Sequence, residues 1–211
     1  MKTLVAVPCM DMMHTQFVSS LMSIRTKEGY EFEFGASSLV YDTRNQFIAK
    51  AIDGGFDRIL WSDSDMVFTA ADVAYLEQDM DHGYDFVCGL AFKRKPPFTP
   101  VIFSECFIDK NEAGQLIPTS TVMKDYPKDA LFEVAAFGFG FVMMSVEGLK
   151  RIVDRYGRML FMPHPGFGED LSFCLRAHSA GEHLFCDSRT EIGHVGTYVY
   201  GKEQFERYEN A

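Results

Sequence analysis

Arg58-Ile59-Leu60-Trp61-Ser62-Asp63-Ser64-Asp65 is the stretch that decides how this chain folds. Ile59, Leu60 and Trp61 form a short, unbroken apolar run, the pattern of a strand covered on both faces in a parallel sheet. The run ends in two carboxylates. In an open α/β sheet, ligands bind beyond the carboxyl ends of the strands. Residues 63 and 65 are two apart, so in extended backbone they point to the same side. Two carboxylates facing one way repel each other unless a cation joins them. A hard divalent ion such as Mg²⁺ or Mn²⁺ takes oxygen ligands and also phosphate oxygens. The plain alternative is a solvated turn, with Asp65 or Thr69 capping the next helix.

Upstream, Leu4 to Val7 is a second apolar run, ended by Pro8. Phe17, Val18, Leu21, Met22 and Ile24 follow helical spacing, with Gly29 as a stop. Ser38 to Tyr41 reads as a strand. Asp42 and Thr43 then open a helix, with Thr43 and Gln46 as a capping box and Gly54-Gly55 as its end.

Downstream, Thr69 and Asp72 cap a helix running to about Met80, and Asp85 to Leu90 reads as a strand. Lys95-Pro96-Pro97-Phe98 breaks the pattern, and residues 100–133 read as hairpins and loops. Leu131 to Ser145 is a strand region and Val146 to Tyr156 a helix. A second helix opens at Gly168-Glu169-Asp170 and ends at Gly181, and Leu184 to Cys186 is a late strand. The strand–helix alternation of the first ninety residues predicts an α/β fold, with a mostly parallel central sheet flanked by helices.

Composition narrows the function. The 211 residues suit one domain, and 47% hydrophobic residues with 20 Phe supply a core. A net charge of −10 without a dense basic run argues against a nucleic-acid partner, because phosphates need Lys and Arg. A bound cation would still let an acidic protein hold an anionic nucleotide. The five cysteines are odd in number and show no CxxC spacing. They read as buried thiols in a reducing compartment, so cytoplasmic residence is the expectation. The N-terminal apolar run is too short for a signal peptide, and no stretch reaches the length of a transmembrane segment.

Several motifs, in order, resemble those of GT-A glycosyltransferases, especially family 2 and its small bacterial and phage-type members. Val5-Ala6-Val7-Pro8 resembles the opening strand, and Tyr41-Asp42-Thr43-Arg44-Asn45 the helix-opening Arg-Asn segment. Leu60 to Met66 resembles the DxD strand, and Phe137-Gly138-Phe139-Gly140-Phe141 the Gly-containing strand beside the donor sugar. Gly168-Glu169-Asp170-Leu171 resembles the Glu-Asp helix start, and Gly193-His194-Val195-Gly196 the late His of the metal site. The resemblance runs from Val5 to about His194. It implies a Rossmann-like GT-A fold for nucleotide-diphospho-sugar transfer. Residues 1–95 would be the nucleotide-binding half, 96–196 the acceptor and catalytic half, and 197–211 a flexible tail.

The same resemblance implies a division of roles. Pro8, Arg44, Asp63, Asp65 and Gly138 would bind the nucleotide-sugar. Asp65, His194 and Asp63 would hold Mn²⁺ or Mg²⁺, with Asp65 the direct ligand and Asp63 on ribose or metal. Asp170 would be the general base of an inverting transfer, and Glu169 would orient the acceptor.

Each residue also has a plain reading. Arg44 can be a surface cation, His194 a satisfied loop histidine, and Glu169 with Asp170 a favourable charge pair on a helix dipole. Phe161, His164 and Phe167 could touch an acceptor sugar, and Lys93 with Arg94 could reach phosphate or form a solvated basic turn.

The expected partners are a UDP- or GDP-sugar donor and a saccharide or other hydroxyl acceptor, with room for a second subunit in acceptor recognition. Two other functions stay open. A nucleotidyltransferase making nucleotide-sugars would want a Gly-rich basic loop after the first strand, and Cys9-Met10-Asp11-Met12-Met13 has none. A non-catalytic nucleotide-sugar-binding protein would not need Asp170 or His194.

Overall fold

The structure is a computed structural model. It describes residues 1–10, 12–196 and 199–209, without the side chains of residues 199, 200, 204, 208 and 209.

The first half alternates strand and helix. In order it contains β1 (Thr3–Cys9), α1 (Thr15–Ile24), β2 (Tyr30–Ala36), α2 (Val40–Asp53), β3 (Arg58–Ser62), β4 (Met66–Val67), α3 (Ala70–Asp81) and β5 (Phe86–Gly89). The second half contains β6 (Ile102–Lys110), β7 (Leu116–Val122), β8 (Leu131–Val134), β9 (Ala136–Phe137), β10 (Phe141–Ser145), α4 (Val146–Tyr156), α5 (Glu169–Ser179), β11 (Leu184–Asp187), β12 (Gly193–Val195), β13 (Val199–Tyr200) and α6 (Lys202–Glu209).

Seven strands form the central sheet in the order β2-β1-β3-β10-β5-β11-β8. β1 runs parallel to β2 and β3, and β5 parallel to β11. Only β10 and β8 run against their neighbours. The carboxyl ends of β1, β3, β5 and β11 therefore share one edge.

Alternation across each strand separates two cores. Leu4, Ala6, Ile59 and Trp61 enter one with Phe47, Ile48, Leu149, Ile152 and Phe173 from α2, α4 and α5. Val5, Val7 and Leu60 enter the other with Phe17, Leu21, Val73 and Leu76 from α1 and α3. With both faces covered, the centres of β1 and β3, Leu4 to Val7 and Ile59 to Trp61, are apolar on both sides, which is why their runs stand out in the sequence.

Two three-stranded sheets lie outside the main one. β6 pairs with β7 as a hairpin and with β9. β12 pairs with β4 and β13, placing His194 opposite Met66. The α3 capping box forms as expected: Thr69 Oγ1 accepts from Asp72 N, and Thr69 N donates to Asp72 Oδ2 at 2.7 Å. Asp72 Oδ1 also accepts from Glu191 N at 2.8 Å, tying α3 to the segment that enters β12.

Two expectations need correction. Ser38 to Tyr41 is not a strand, because α2 already begins at Val40; the strand is β2, upstream at the sheet edge. No capping box forms at Thr43, which lies buried inside α2, while Gln46 Nε2 donates to Asp42 Oδ2. Within residues 197–211, read as a tail, the structure describes β13 and α6, with Phe205 buried and its ring 5.3 Å from that of Phe92. Thr197, Tyr198, Asn210 and Ala211 of that tail lie outside the described residues.

All five cysteines are free thiols. Among the described residues no helix is long and apolar enough to cross a membrane.

Candidate active site

A cavity of about 450 Å³ opens at the shared carboxyl edge. Pro8, Cys9 and Met10 reach it from β1, Ser37, Ser38 and Val40 from the β2–α2 turn, and Asp63 to Asp65 from β3. Arg44, Arg94, Glu169 and Asp170 complete the lining. Chain order explains the position. From β1 the chain moves to one side to make β2, then returns to the other side of β1 to make β3. Such a reversal leaves a crevice beyond the strand ends.

Two sheets fix the two aspartates. Asp63 leaves β3 with its N–H donating to Gly140 O at 2.9 Å, and Met66 N closes a turn on Asp63 O at 3.1 Å. Beyond the turn, Val195 N donates to Asp65 O at 2.7 Å, so β12 holds Asp65 against His194. His194 Nε2 lies 3.3 Å from Asp65 Oδ2. Its other ring nitrogen, Nδ1, lies 2.9 Å from Phe92 O. A carbonyl can only accept, so the Nδ1 proton points at Phe92 and Nε2 is presented to Asp65. A metal-ligating His has this arrangement.

The donor set thus fits a hard or borderline divalent ion, with one carboxylate and one imidazole from the protein. Phosphate and water would supply the rest. Asp63 has one of its oxygens engaged elsewhere. Its Oδ1 accepts from Arg44 Nη2 at 2.9 Å. Among the described residues, no group of three His, Cys, Asp or Glu converges on a common point.

Arg44 is the most buried charge in the site, with its side chain 2% exposed. Its guanidinium lies over the rings of Phe139, Phe161 and Trp61 at 5.2, 5.7 and 5.9 Å. Nη2 is also 3.8 Å from Asp170 Oδ1. Burial pulls Arg44 toward neutrality, but Asp63, Asp170 and Glu169 more than offset it. Arg44 is therefore spent on the two carboxylates it positions, at the buried floor of the cavity it lines.

Asp170 stands in the first turn of α5, whose N-cap is Gly168. Oδ2 accepts from Phe139 N at 3.2 Å. Oδ1 is buried and has no hydrogen-bond partner, although the side chain as a whole stays 27% exposed at the cavity. Burial pushes its pKa up to about 7, with Glu169 and Asp63 adding repulsion that Arg44 only partly offsets. Behind it Phe139, Phe161 and Phe173 pack at 4.7 to 5.0 Å, an apolar backing that accounts for the burial. Asp65 moves the other way: His194 and Arg94 overcome its burial and hold it below the usual carboxylate range.

Pro8, Arg44, Asp63, Asp65, Glu169 and Asp170 thus meet at one cavity, with His194 behind Asp65. Gly138 does not line it. A Cβ there would come within 2.5 Å of Val101 Cγ1 and 3.6 Å of Asp170 Oδ2, so the glycine lets the chain after β9 pack against Val101, just before β6.

Phe161 cannot touch an acceptor, because it is fully buried. His164 faces a different cavity, with Tyr156 and His178. Arg94 is better placed than the sequence suggested, with Nη1 on Asp65 Oδ2 at 2.8 Å. Its only sequence signal is a basic residue a few positions beyond a strand end.

No protein-family model matches the chain, and no curated protein matches it by sequence. Solved structures do. The chain is similar to A197 from STIV over 93% of its length and 86% of the other's, at 18% identity and a TM-score of 0.64. It is also similar to GalNAc-T7, whose crystal structure contains UDP, GalNAc and Mn²⁺, with a TM-score of 0.58 at 9% identity. That match covers 99% of this chain and 47% of the other, so the chain spans just under half of GalNAc-T7. These similarities show the fold alone: a GT-A-like α/β arrangement.

Proposed function

We propose that this protein is a metal-dependent glycosyltransferase that moves a sugar from a UDP- or GDP-sugar to an acceptor hydroxyl with inversion. The observation that carries the reading is Asp170: a carboxylate at the wall of the cavity that also holds Asp63 and Asp65, whose buried Oδ1 has no hydrogen-bond partner and faces Arg44 Nη2 only at 3.8 Å. A carboxyl whose pKa is raised to about 7 is matched to take a proton at neutral pH.

Residues 1–95 would hold the donor, with Pro8 and Asp63 along the nucleoside and Asp65 at the diphosphate. Residues 96–196 would supply the acceptor side. Asp65 and His194 would hold Mn²⁺ or Mg²⁺, which when bound offsets the negative charge that builds on the departing diphosphate. Arg44 keeps Asp63 and Asp170 apart and oriented, and Glu169 would orient the acceptor hydroxyl. Asp170 would take the hydroxyl proton as the oxygen attacks the anomeric carbon. The acidic chain would then tolerate an anionic donor through the ion rather than through a basic surface.

A panel of nucleotide-sugars with Mn²⁺ tests the reading. Slow donor hydrolysis without acceptor, lost in Asp170→Asn and Asp65→Ala, is the expected result. Consumption of a nucleoside triphosphate with release of pyrophosphate, and no donor hydrolysis, would point instead to a nucleotidyltransferase.

A further inference from the structure

Arg94 leaves β5 on a segment with a pinned base. Phe92 bridges to Pro100, and Lys93 N donates to Thr99 O at 2.9 Å. Its side chain is 48% exposed, so the head group can turn while the backbone stays fixed. Nη1 sits 2.8 Å from Asp65 Oδ2 and 3.4 Å from Val195 O. Asp65 Oδ2 is also the atom that faces His194 Nε2. The guanidinium therefore puts a positive charge on the same carboxylate oxygen that a metal ion would use. A guanidinium is also well shaped for phosphate.

We propose that Arg94 is a placeholder for the metal: it neutralises Asp65 in the free protein and turns to the donor's phosphates when a divalent ion takes Asp65. This rests on the functional reading above. A half-exposed ion pair is weak, so a divalent ion displaces it readily but at some cost in affinity. Two effects of opposite sign follow. Without Arg94 the ion meets no competitor, so the metal alone binds more tightly. Without Arg94 the nucleotide loses a phosphate ligand, so it enhances metal binding less. An ion pair that only stabilises the fold produces neither effect. A residue that helps hold the metal directly would weaken binding in both conditions.

Titrating the whole chain with Mn²⁺, and following the electron-spin-resonance signal of the free ion, separates these cases. Wild type, Arg94→Gln and Arg94→Lys are compared alone and with UDP or GDP. Arg94→Gln should bind Mn²⁺ alone about two- to fivefold more tightly. Its enhancement by nucleotide should fall by about tenfold, the scale of a charge-assisted hydrogen bond. Arg94→Lys keeps the charge and should lie between. Equal or weaker binding of Mn²⁺ alone by Arg94→Gln, or an unchanged nucleotide enhancement, overturns the placeholder and leaves the functional reading standing. If wild type binds no Mn²⁺ with either nucleotide, the functional reading itself fails.

Discussion

Arg44 Nη2 donates to Asp63 Oδ1 at 2.9 Å from the buried floor of the cavity. The same nitrogen faces Asp170 Oδ1 at 3.8 Å, so one guanidinium organises a strand end and a helix start far apart in sequence. Removing the charge should leave two carboxylates facing each other over an aromatic floor. Losing one partner of a buried pair costs about 3–5 kcal/mol. Both carboxylates here keep some contact with the cavity, so Arg44→Met should cost about 2–3 kcal/mol in urea unfolding. Arg44→Lys should recover part of that stability without restoring the alignment of Asp63.

Asp170 makes the site pH-sensitive. Its folded-state pKa is raised to about 7, while an unfolded aspartate titrates near 3.8. Between these values the folded chain keeps a proton that the unfolded chain gives up. The associated stability is fully present below about pH 4 and is lost as pH rises through about 7. Asp170→Asn should therefore be more stable than wild type at pH 8, by on the order of 1–3 kcal/mol, and show little difference near pH 4. The same proton governs activity: kcat/KM should rise through about pH 7 in wild type, and Asp170→Asn should be inactive.

Gly138→Ala tests the packing behind that carboxylate. The added Cβ would meet Val101 Cγ1 at 2.5 Å, on the branched side chain that precedes β6. Overpacking of this kind costs about 1–3 kcal/mol. Because Asp170 Oδ2 is 3.6 Å from the same point, thermal melts and donor hydrolysis should both fall.

The α3 cap reaches the neighbourhood of His194, the proposed metal ligand, through Asp72. Thr69→Ala removes only a capping hydroxyl, about 1 kcal/mol. Asp72→Ala also frees Glu191 N, three residues before His194, and should cost about 2 kcal/mol. Urea unfolding should rank the two variants in that order, and only Asp72→Ala should weaken Mn²⁺ binding as well.

The sequence announces the parts of the fold that obey a local rule. β1 and β3 are buried on both faces, so their apolar runs mark them, and Thr69-Asp72 is a cap wherever it folds. Ser38 to Tyr41 misleads because Val40 and Tyr41 favour strands, while α2 starts there without any capping side chain. The period-two pattern of Tyr30-Glu31-Phe32-Glu33-Phe34 is the true strand signal, and its half-buried residues match an edge position. In the site, strand ends and a helix start locate Asp63, Asp65 and Asp170. The fates of Arg44 and Arg94 are not local. Which guanidinium is buried over aromatic rings and which reaches the cavity depends on how α2 and the segment after β5 pack.

Metal-linked stabilisation by a nucleoside diphosphate tests the central claim most directly. Thermal unfolding of wild type and Asp65→Ala is followed with UDP or GDP, each with and without Mn²⁺. At ligand well above its dissociation constant, wild type should gain about 5 °C or more with nucleotide and metal together. It should gain little with either alone, and Asp65→Ala should gain nothing. The same shift with and without Mn²⁺, or no shift with either nucleotide, would contradict the account.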